Sequence, residues 1–161
     1  MPEVICNTSP LQYLHQLGLL HILPALNDSI IVPLAVATEL SQGRQLGYDL
    51  PDIETISWIT IHTLTNSPLL PHITDDLGSG ETEVLALALE IPDSVVVLDD
   101  ALGRLAAKKL SIHFTGTLGL LLDAKKISLL DTIAPRLDQL QALGFRLSPQ
   151  THRLILNLAN E

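Results

Sequence analysis

Short apolar runs alternate with stretches of helical periodicity along this chain. Runs rich in Val and Ile predict buried strands, and they lie at residues 3–6, 29–32, 58–62, 95–98 and 112–114. Apolar positions recurring every three or four residues predict helices. The first helical segment is expected at about residues 9–23, with breaks at Gly18 and Pro24. Further helices are expected at about residues 33–43, 79–90, 99–110, 117–126, 133–143 and 148–160. Residues 50–53 are expected to begin a short helix, and residues 63–79 a loop. This alternation predicts one domain over residues 1–161, a three-layer α/β/α sandwich with a mainly parallel sheet of about four to five strands.

Polar side chains stand where two of these predicted strands end. Asn7 follows the first strand, and Asp99 follows the apolar run at residues 95–98. In an open parallel sheet ligands bind outside the carboxyl ends of the strands, and helices flanking this edge carry Glu39 and Glu81. Carboxylate and amide oxygens suit hard cations such as Mg²⁺ or Mn²⁺. The pattern therefore predicts a metal site at this edge that activates water against a phosphodiester.

Two neighbouring acids are alternatives within the predicted site. Glu81 and Glu83 are two positions apart on a helix and cannot face the same way. Glu83 shares its face with Glu90, so Glu83 is expected toward solvent and Glu81 toward the metal. Asp100 precedes Arg104 by four residues, which favours an ion pair for Asp100 and leaves Asp99 as the ligand. Each acid also has a structural interpretation, because acids commonly cap helix N-termini.

Composition and charge narrow the class of protein. The 161 residues are 47% hydrophobic and 17% charged, which is typical of a folded domain. The net charge of −9 argues against general nucleic-acid binding. However, residues 1–103 hold fourteen acids and one base, whereas residues 104–161 hold eight bases and four acids. A metal in the acidic half with a phosphate backbone beside it fits this division, although ordinary solvated helix faces explain it more simply.

The sequence predicts a soluble protein of the cytoplasm. Cys6 is the single cysteine, so no disulfide is expected within one chain and a reducing compartment fits best. Residues 4–27 carry no charge, but polar residues and prolines interrupt them, so no membrane span is predicted. The first residues lack the basic region of a signal peptide. The six histidines show no metal-binding spacing.

At the residues of the predicted site the chain resembles the PIN domain superfamily. Within it, the chain is similar to a prokaryotic branch of predicted nucleic-acid-binding proteins related to the VapC-type toxin ribonucleases. The likeness covers nearly the whole chain in the right order, with motifs at residues 5–11, 32–40, 77–83, 97–104 and 115–121.

The resemblance implies a metal-dependent nuclease that acts on single-stranded RNA. The acids of the family map to Glu39, to Glu81 or Glu83, and to Asp99, while Asn7 stands in place of the usual first aspartate. Asp100 is kept as a further candidate metal ligand next to Asp99. Substrate-binding residues are expected to be Thr8 and Ser9, which match the polar pair after the first acid, together with Arg104, Thr115 and Thr117. Because such toxins are commonly dimers neutralised by a small antitoxin, the resemblance also implies a homodimer and an antitoxin partner.

Asn7 leaves two functions open. An amide offers one neutral oxygen, so the site loses a unit of negative charge and is expected to bind a hard cation more weakly. The chain is then either a weakened Mg²⁺- or Mn²⁺-dependent ribonuclease with Glu39, Glu81 and Asp99 as catalytic residues, or an inactive module that binds RNA or a protein partner. The hydroxyls of Thr115 and Thr117 fit either phosphate binding at a helix N-terminus or a capped turn. The glycines of residues 78–80 are expected only to make a turn.

Overall fold

The computed structural model describes residues 2–65 and 75–161. Its strands are β1 Val4–Cys6, β2 Ile30–Pro33, β3 Ile59–His62, β4 Val95–Val97 and β5 His113–Thr115. Its helices are α1 Thr8–Gln16, α2 Ile22–Leu26, α3 Leu34–Gln45, α4 Ser79–Glu90, α5 Ala101–Lys109, α6 Thr117–Lys126, α7 Ala134–Ala142 and α8 Pro149–Leu158, with a 3-10 turn at Ile53–Thr55.

The strands form one parallel sheet in the order β3-β2-β1-β4-β5. Strand β1 is central, with Val4 opposite Val95 and Cys6 opposite Val97 of β4. All of β1 is buried, because helices cover both faces of such a sheet and a strand covered on both faces needs apolar side chains throughout. The predicted α/β architecture with a parallel central sheet is confirmed.

Helices pack against both the sheet and one another. Helix α4 crosses β1, β2 and β4, and α5 lies against β5. Helices α1, α2 and α6 pack together, and α8 packs on α6. The largest fully buried side chains are aliphatic, as expected for a chain with few aromatic residues. Among the described helices, none has both the length and the apolar character needed to cross a bilayer.

Some predicted boundaries differ from the observed ones. Helix α1 begins at Thr8 rather than after Ser9, and Asn7 occupies its N-cap. Gly18 interrupts the segment as predicted, with φ of 72°, whereas Pro24 lies inside α2, in its first turn, where a missing N–H costs no hydrogen bond. The expected helix at residues 50–53 is instead the 3-10 turn a few residues later. Residues 66–74 of the predicted loop lie outside the described residues.

The strand order decides which side chains can meet. Because β1 lies between β2 and β4, the carboxyl end of β1 at Asn7 adjoins the carboxyl end of β4 at Leu98 and Asp99. On its other side β1 adjoins the start of α3 after Pro33. The predicted polar edge is therefore formed by neighbouring strands rather than by distant ones.

Candidate active site

Asp99 lies just beyond the end of β4, and Thr117 binds both oxygens of its carboxylate. The backbone N–H of Thr117 donates to Oδ1 at 2.8 Å, and the Thr117 hydroxyl donates to Oδ2 at 2.7 Å. Thr117 is the first residue of α6 and is completely buried. These two hydrogen bonds fix the orientation of the carboxylate across the gap between β4 and α6.

The neighbouring Asp100 has a different role. Its side chain is exposed, and Oδ2 accepts a hydrogen bond from the backbone N–H of Gly103 at 2.8 Å. Asp100 is therefore the N-cap of α5. The ion pair expected between Asp100 and Arg104 does not form, because Arg104 extends in another direction, toward the end of β4.

Burial raises the pKa of Asp99, and three nearby groups oppose this shift. The hydroxyl and the backbone N–H of Thr117 and the positive charge of Arg104 each lower the pKa of Asp99, but desolvation has the larger effect. The charge of Asp99 also affects the buried Cys6 thiol of β1. Burial raises the pKa of the Cys6 thiol, and the Asp99 carboxylate raises it further.

Asn7 follows β1, next to the strand that precedes Asp99, and its buried side-chain oxygen has no hydrogen-bond partner among the described residues. The residue is only 3% exposed. Its backbone N–H donates to the carbonyl of Val97 at 3.1 Å, which ties it to β4, but Oδ1 accepts no hydrogen bond. A buried acceptor left unsatisfied costs about 1–3 kcal/mol, and such groups in native proteins often mark a missing ion or water. Oδ1 of Asn7 is therefore available to a ligand.

Glu39 connects α3 to the starts of two other helices. Its Oε2 accepts a short hydrogen bond from the hydroxyl of Thr8, at the start of α1. Its Oε1 accepts from the backbone N–H of Gly80 in the first turn of α4, at 3.1 Å. Thr8 directly follows Asn7 in the sequence, so its hydrogen bond with Glu39 brings the Glu39 carboxylate to the same edge of the sheet.

Glu83 does not face solvent as the sequence pattern suggested. Its Oε1 accepts a hydrogen bond from the backbone N–H of Ala35 in the first turn of α3, at 3.2 Å. Leu87, one turn further along the same face of α4, is completely buried. That expectation was wrong because it considered α4 alone, whereas α3 packs against this face of the helix.

Glu81 is the candidate acid without a protein partner among the described residues. It is half-buried in the first turn of α4. Its Oε2 lies over Gly78, so near that a Cβ on this glycine would stand 2.7 Å from it. With respect to the described residues, both oxygens of Glu81 are therefore available to a ligand.

The predicted substrate residues differ in what they contact. Thr8 and Thr117 hold Glu39 and Asp99 and have their hydroxyls engaged. Ser9, in the first turn of α1, is half-buried and makes no hydrogen bond with the described residues. Thr115 packs against Gly119 and lines a 370 Å³ crevice between the sheet and α6, away from this cluster.

Three glycines give the charged side chains their space. A Cβ on Gly80 would lie 2.8 Å from both oxygens of Glu39. A Cβ on Gly116 would lie 2.0 Å from Arg104 Nη2 and 2.8 Å from Asp99 Oδ1, and Gly78 makes the same room for Glu81. The sequence pattern indicated only a turn for residues 78–80. The sequence signal for this space-making role is a glycine next to an acid in the same motif, as Gly80 precedes Glu81.

The oxygen donors at this edge fit a hard cation that retains much of its water. The unpartnered Oδ1 of Asn7 is a suitable neutral ligand, and Asp99 and Glu39 supply charge. Within residues 2–65 and 75–161, no three His, Cys, Asp or Glu side chains are grouped closely enough to surround an ion. Mg²⁺ usually takes one or two carboxylates and several waters, so the arrangement suits such an ion better than a fully dehydrated one.

The fold and this edge define a nuclease-type α/β domain. A family model described as a PIN domain matches residues 3–161. The chain therefore belongs to the PIN domain family, as its motifs indicated. No curated protein matches the chain.

Proposed function

We propose that this protein is a metal-dependent endoribonuclease of low activity that cleaves single-stranded RNA. The proposal rests on the buried Oδ1 of Asn7, which accepts no hydrogen bond from the described residues. Asn7 follows β1, and the oriented carboxylate of Asp99 follows the adjacent strand β4 at the carboxyl edge of a PIN fold. An acceptor buried at such a position calls for a cation or a donor from a ligand. The acidic surroundings favour the cation.

The side chains have separate roles in this proposal. Asp99 and Glu39 would hold Mg²⁺ or Mn²⁺ together with Asn7, and the ion would polarise a water molecule and the phosphodiester. Thr117 and Thr8 keep the two carboxylates in place through their hydroxyls. Glu81, whose oxygens make no hydrogen bond with the described residues, would supply a third carboxylate to the ion.

Asn7 accounts for the expected low activity. Replacing a carboxylate by an amide removes one unit of charge, and such a charge about 4 Å from an ion at a protein surface contributes up to about 4 kcal/mol. The loss weakens binding of the ion rather than the geometry of the edge, because Asn7 retains an oxygen at the same position. The proposal therefore requires a high metal concentration for full activity.

Cleavage of a fluorescent single-stranded RNA, with and without Mn²⁺, tests the proposal. We expect slow Mn²⁺-dependent cleavage by the wild type and loss of at least about 100-fold in Asp99→Ala. Asp131→Ala, which removes an exposed acid far along the chain from this edge, is the matched control and should cleave like the wild type. Equal cleavage by wild type and Asp99→Ala, or none by the wild type at millimolar Mn²⁺, would reject the nuclease assignment.

A second function, binding of RNA or a protein without cleavage, is favoured by the amide at Asn7 together with the lack of a grouped set of acids in the described residues. The same assay separates the two functions when RNA binding is measured in parallel. Binding that persists without any Mn²⁺-dependent cleavage supports the non-catalytic module.

A homodimer and a small antitoxin partner are further parts of the proposal. Exposed leucines on α5 and α8, namely Leu102, Leu105, Leu154 and Leu158, supply apolar surface for such contacts. Light scattering on the purified chain tests the dimer, which should have twice the mass of the monomer. A single monomer mass at micromolar concentration would reject it.

A further inference from the structure

The guanidinium of Arg104 is fixed in place by its surroundings, but its terminal amino groups have no hydrogen-bond partner among the described residues. Its Nε donates to the carbonyl of Leu98 at 2.8 Å, and its Cζ lies 5.6 Å from the centroid of the Phe114 ring. Both contacts restrict the side chain, the second as a cation–π interaction. Within the described residues, neither Nη1 nor Nη2 donates a hydrogen bond, and no acid forms an ion pair with Arg104.

Other bases in this half of the chain behave differently. Lys125 pairs with Glu161 at 2.7 Å, and Lys126 approaches Asp123 at 3.7 Å. Lys108 and Lys109, on the same helix as Arg104, are exposed at the far end of α5. Arg104 is half-buried near the start of α5. A half-buried guanidinium held by Nε, with its fork left free, is prepared to bind an external anion.

The free end of Arg104 lies beside the candidate active site. Nη2 of Arg104 and Oδ1 of Asp99 flank the same glycine, Gly116. The two side chains do not form an ion pair, although a Cβ on Gly116 would stand 2.0 Å from Nη2 of Arg104 and 2.8 Å from Oδ1 of Asp99. An anion bound by Arg104 would thus be next to the proposed ion.

We infer that Arg104 binds a phosphate of single-stranded RNA at the carboxyl edge of the sheet and that Gly116 keeps the space for it. The inference rests on the proposed function, since it names the residue that aligns the RNA strand. Planar guanidinium groups bind phosphate through two parallel hydrogen bonds, which fixes orientation as well as position. Gly116 has φ of −135°, a conformation open to any residue, so space rather than backbone freedom requires glycine there.

RNA binding without metal tests the role of Arg104 separately from cleavage. Fluorescence anisotropy with a short oligouridylate in EDTA, over a series of salt concentrations, should show an affinity about fivefold to tenfold lower for Arg104→Gln. The salt dependence should decrease by about 0.7 in log–log slope, the amount expected for one lost phosphate contact on a single strand. Arg104→Lys should keep the slope and recover part of the affinity, because lysine keeps the charge but loses the fork.

Two further variants make the test specific. Lys109→Gln removes an exposed charge from the far end of the same helix and should weaken binding less than Arg104→Gln does. Gly116→Ala keeps every charge but displaces Arg104, and should weaken binding as Arg104→Gln does, with no further loss in the double variant. If Arg104→Gln does not fold, as judged by thermal unfolding, Gly116→Ala and Arg104→Lys decide the question.

Unchanged affinity and slope in the folded Arg104 and Gly116 variants, or no RNA binding by the wild type in EDTA, would overturn the inference. A loss no larger than that of Lys109→Gln would do the same. The proposed function fails by a different result, namely a wild type that binds RNA but does not cleave it with Mn²⁺. In that case an Arg104-dependent affinity still supports the phosphate site.

Discussion

Glu83 of α4 accepts a hydrogen bond from the backbone N–H of Ala35, in the first turn of α3, at 3.2 Å. In the reverse direction, Glu39 of α3 accepts a hydrogen bond from the backbone N–H of Gly80 in the first turn of α4. Each helix therefore supplies a carboxylate that satisfies an otherwise unpaired N–H at the start of the other. Two of the acids predicted as ligands thus also fix the relative position of two helices.

This exchange distinguishes Glu81 from Glu83. We expect Glu83→Ala to lower the free energy of unfolding by about 0.5–2 kcal/mol, the usual range for a lost helix cap, with little change in Mn²⁺ affinity. Glu81→Gln should instead weaken Mn²⁺ binding, since its carboxylate makes no hydrogen bond with the described residues, and should leave stability nearly unchanged. Urea unfolding and calorimetric titration of both variants measure the two effects. The reverse result would make Glu83 the ligand.

Gly80→Ala should destabilise the protein although alanine normally favours a helix. An added Cβ would lie 2.8 Å from both Glu39 oxygens, and crowding of this kind costs about 1–3 kcal/mol. The displaced carboxylate should also bind Mn²⁺ more weakly. Both effects are measured by urea unfolding and calorimetry.

Gly43→Ala is the matched control for Gly80→Ala within α3. Its Cβ would meet only the Leu50 side chain, with Cδ1 at 2.3 Å. Because the end of this half-buried leucine can move aside, we expect Gly43→Ala to raise stability by up to about 1 kcal/mol through helix propensity. A stabilising Gly80→Ala would show that the Glu39 contact does not need this space.

Asn7→Asp should restore the missing charge of the proposed metal site. We expect the Mn²⁺ dissociation constant to fall at least about tenfold and RNA cleavage to increase, because a carboxylate attracts the ion more strongly than an amide does. Without metal the variant should be less stable than the wild type, since a second buried carboxylate would stand beside Asp99. Calorimetry and urea unfolding measure both.

The control for Asn7→Asp is Asn157→Asp, which adds the same charge at an exposed position of α8. It should alter neither Mn²⁺ affinity nor cleavage. If Asn7→Asp also leaves Mn²⁺ affinity unchanged, Asn7 takes no part in holding an ion.

The stability of the protein should depend on the ionisation of Glu161. Its carboxylate accepts hydrogen bonds from Lys125 Nζ at 2.7 Å and from the backbone N–H groups of Ile133 and Ala134 at 2.8 and 3.1 Å. The Lys125 hydrogen bond has the largest effect and lowers the pKa of Glu161, and burial opposes it. The two backbone N–H groups and the charge of Lys125 lower the pKa further, so that it lies below its usual value. A lowered pKa in the folded state means that the ionised group stabilises the fold.

This contribution is fully present above the usual glutamate pKa of about 4.3 and is lost as pH falls through the lower folded-state pKa. Glu161→Gln should therefore be less stable than the wild type at neutral pH, and the difference should shrink below about pH 4. Asp123→Asn is the control, because the 3.7 Å contact of Asp123 with Lys126 is exposed and contributes little. A pH-independent difference between Glu161→Gln and the wild type would contradict this assignment.

The sequence alone determined the succession of strands and helices and the polar positions that end two strands. These features depend on local patterns, such as the apolar run of β4 and the alternation of element types. Because parallel strands align their carboxyl ends, Asn7 and Asp99 could be assigned to one edge before any coordinates were known. The PIN motifs then extended this assignment to Glu39 and Glu81.

The tertiary structure decided what each polar side chain touches. The partners of Glu39, Glu83 and Asp99 lie between 18 and 48 residues away in the chain, so no periodicity within one helix contains them. The solvent-facing role expected for Glu83 was wrong for this reason. The free guanidinium of Arg104 and the glycine that accommodates it likewise depend on how α5 packs against β5. The local sequence pattern determines the position of a residue within its helix or strand. Packing between elements that are distant in the chain determines which hydrogen-bond and charge partners its side chain meets.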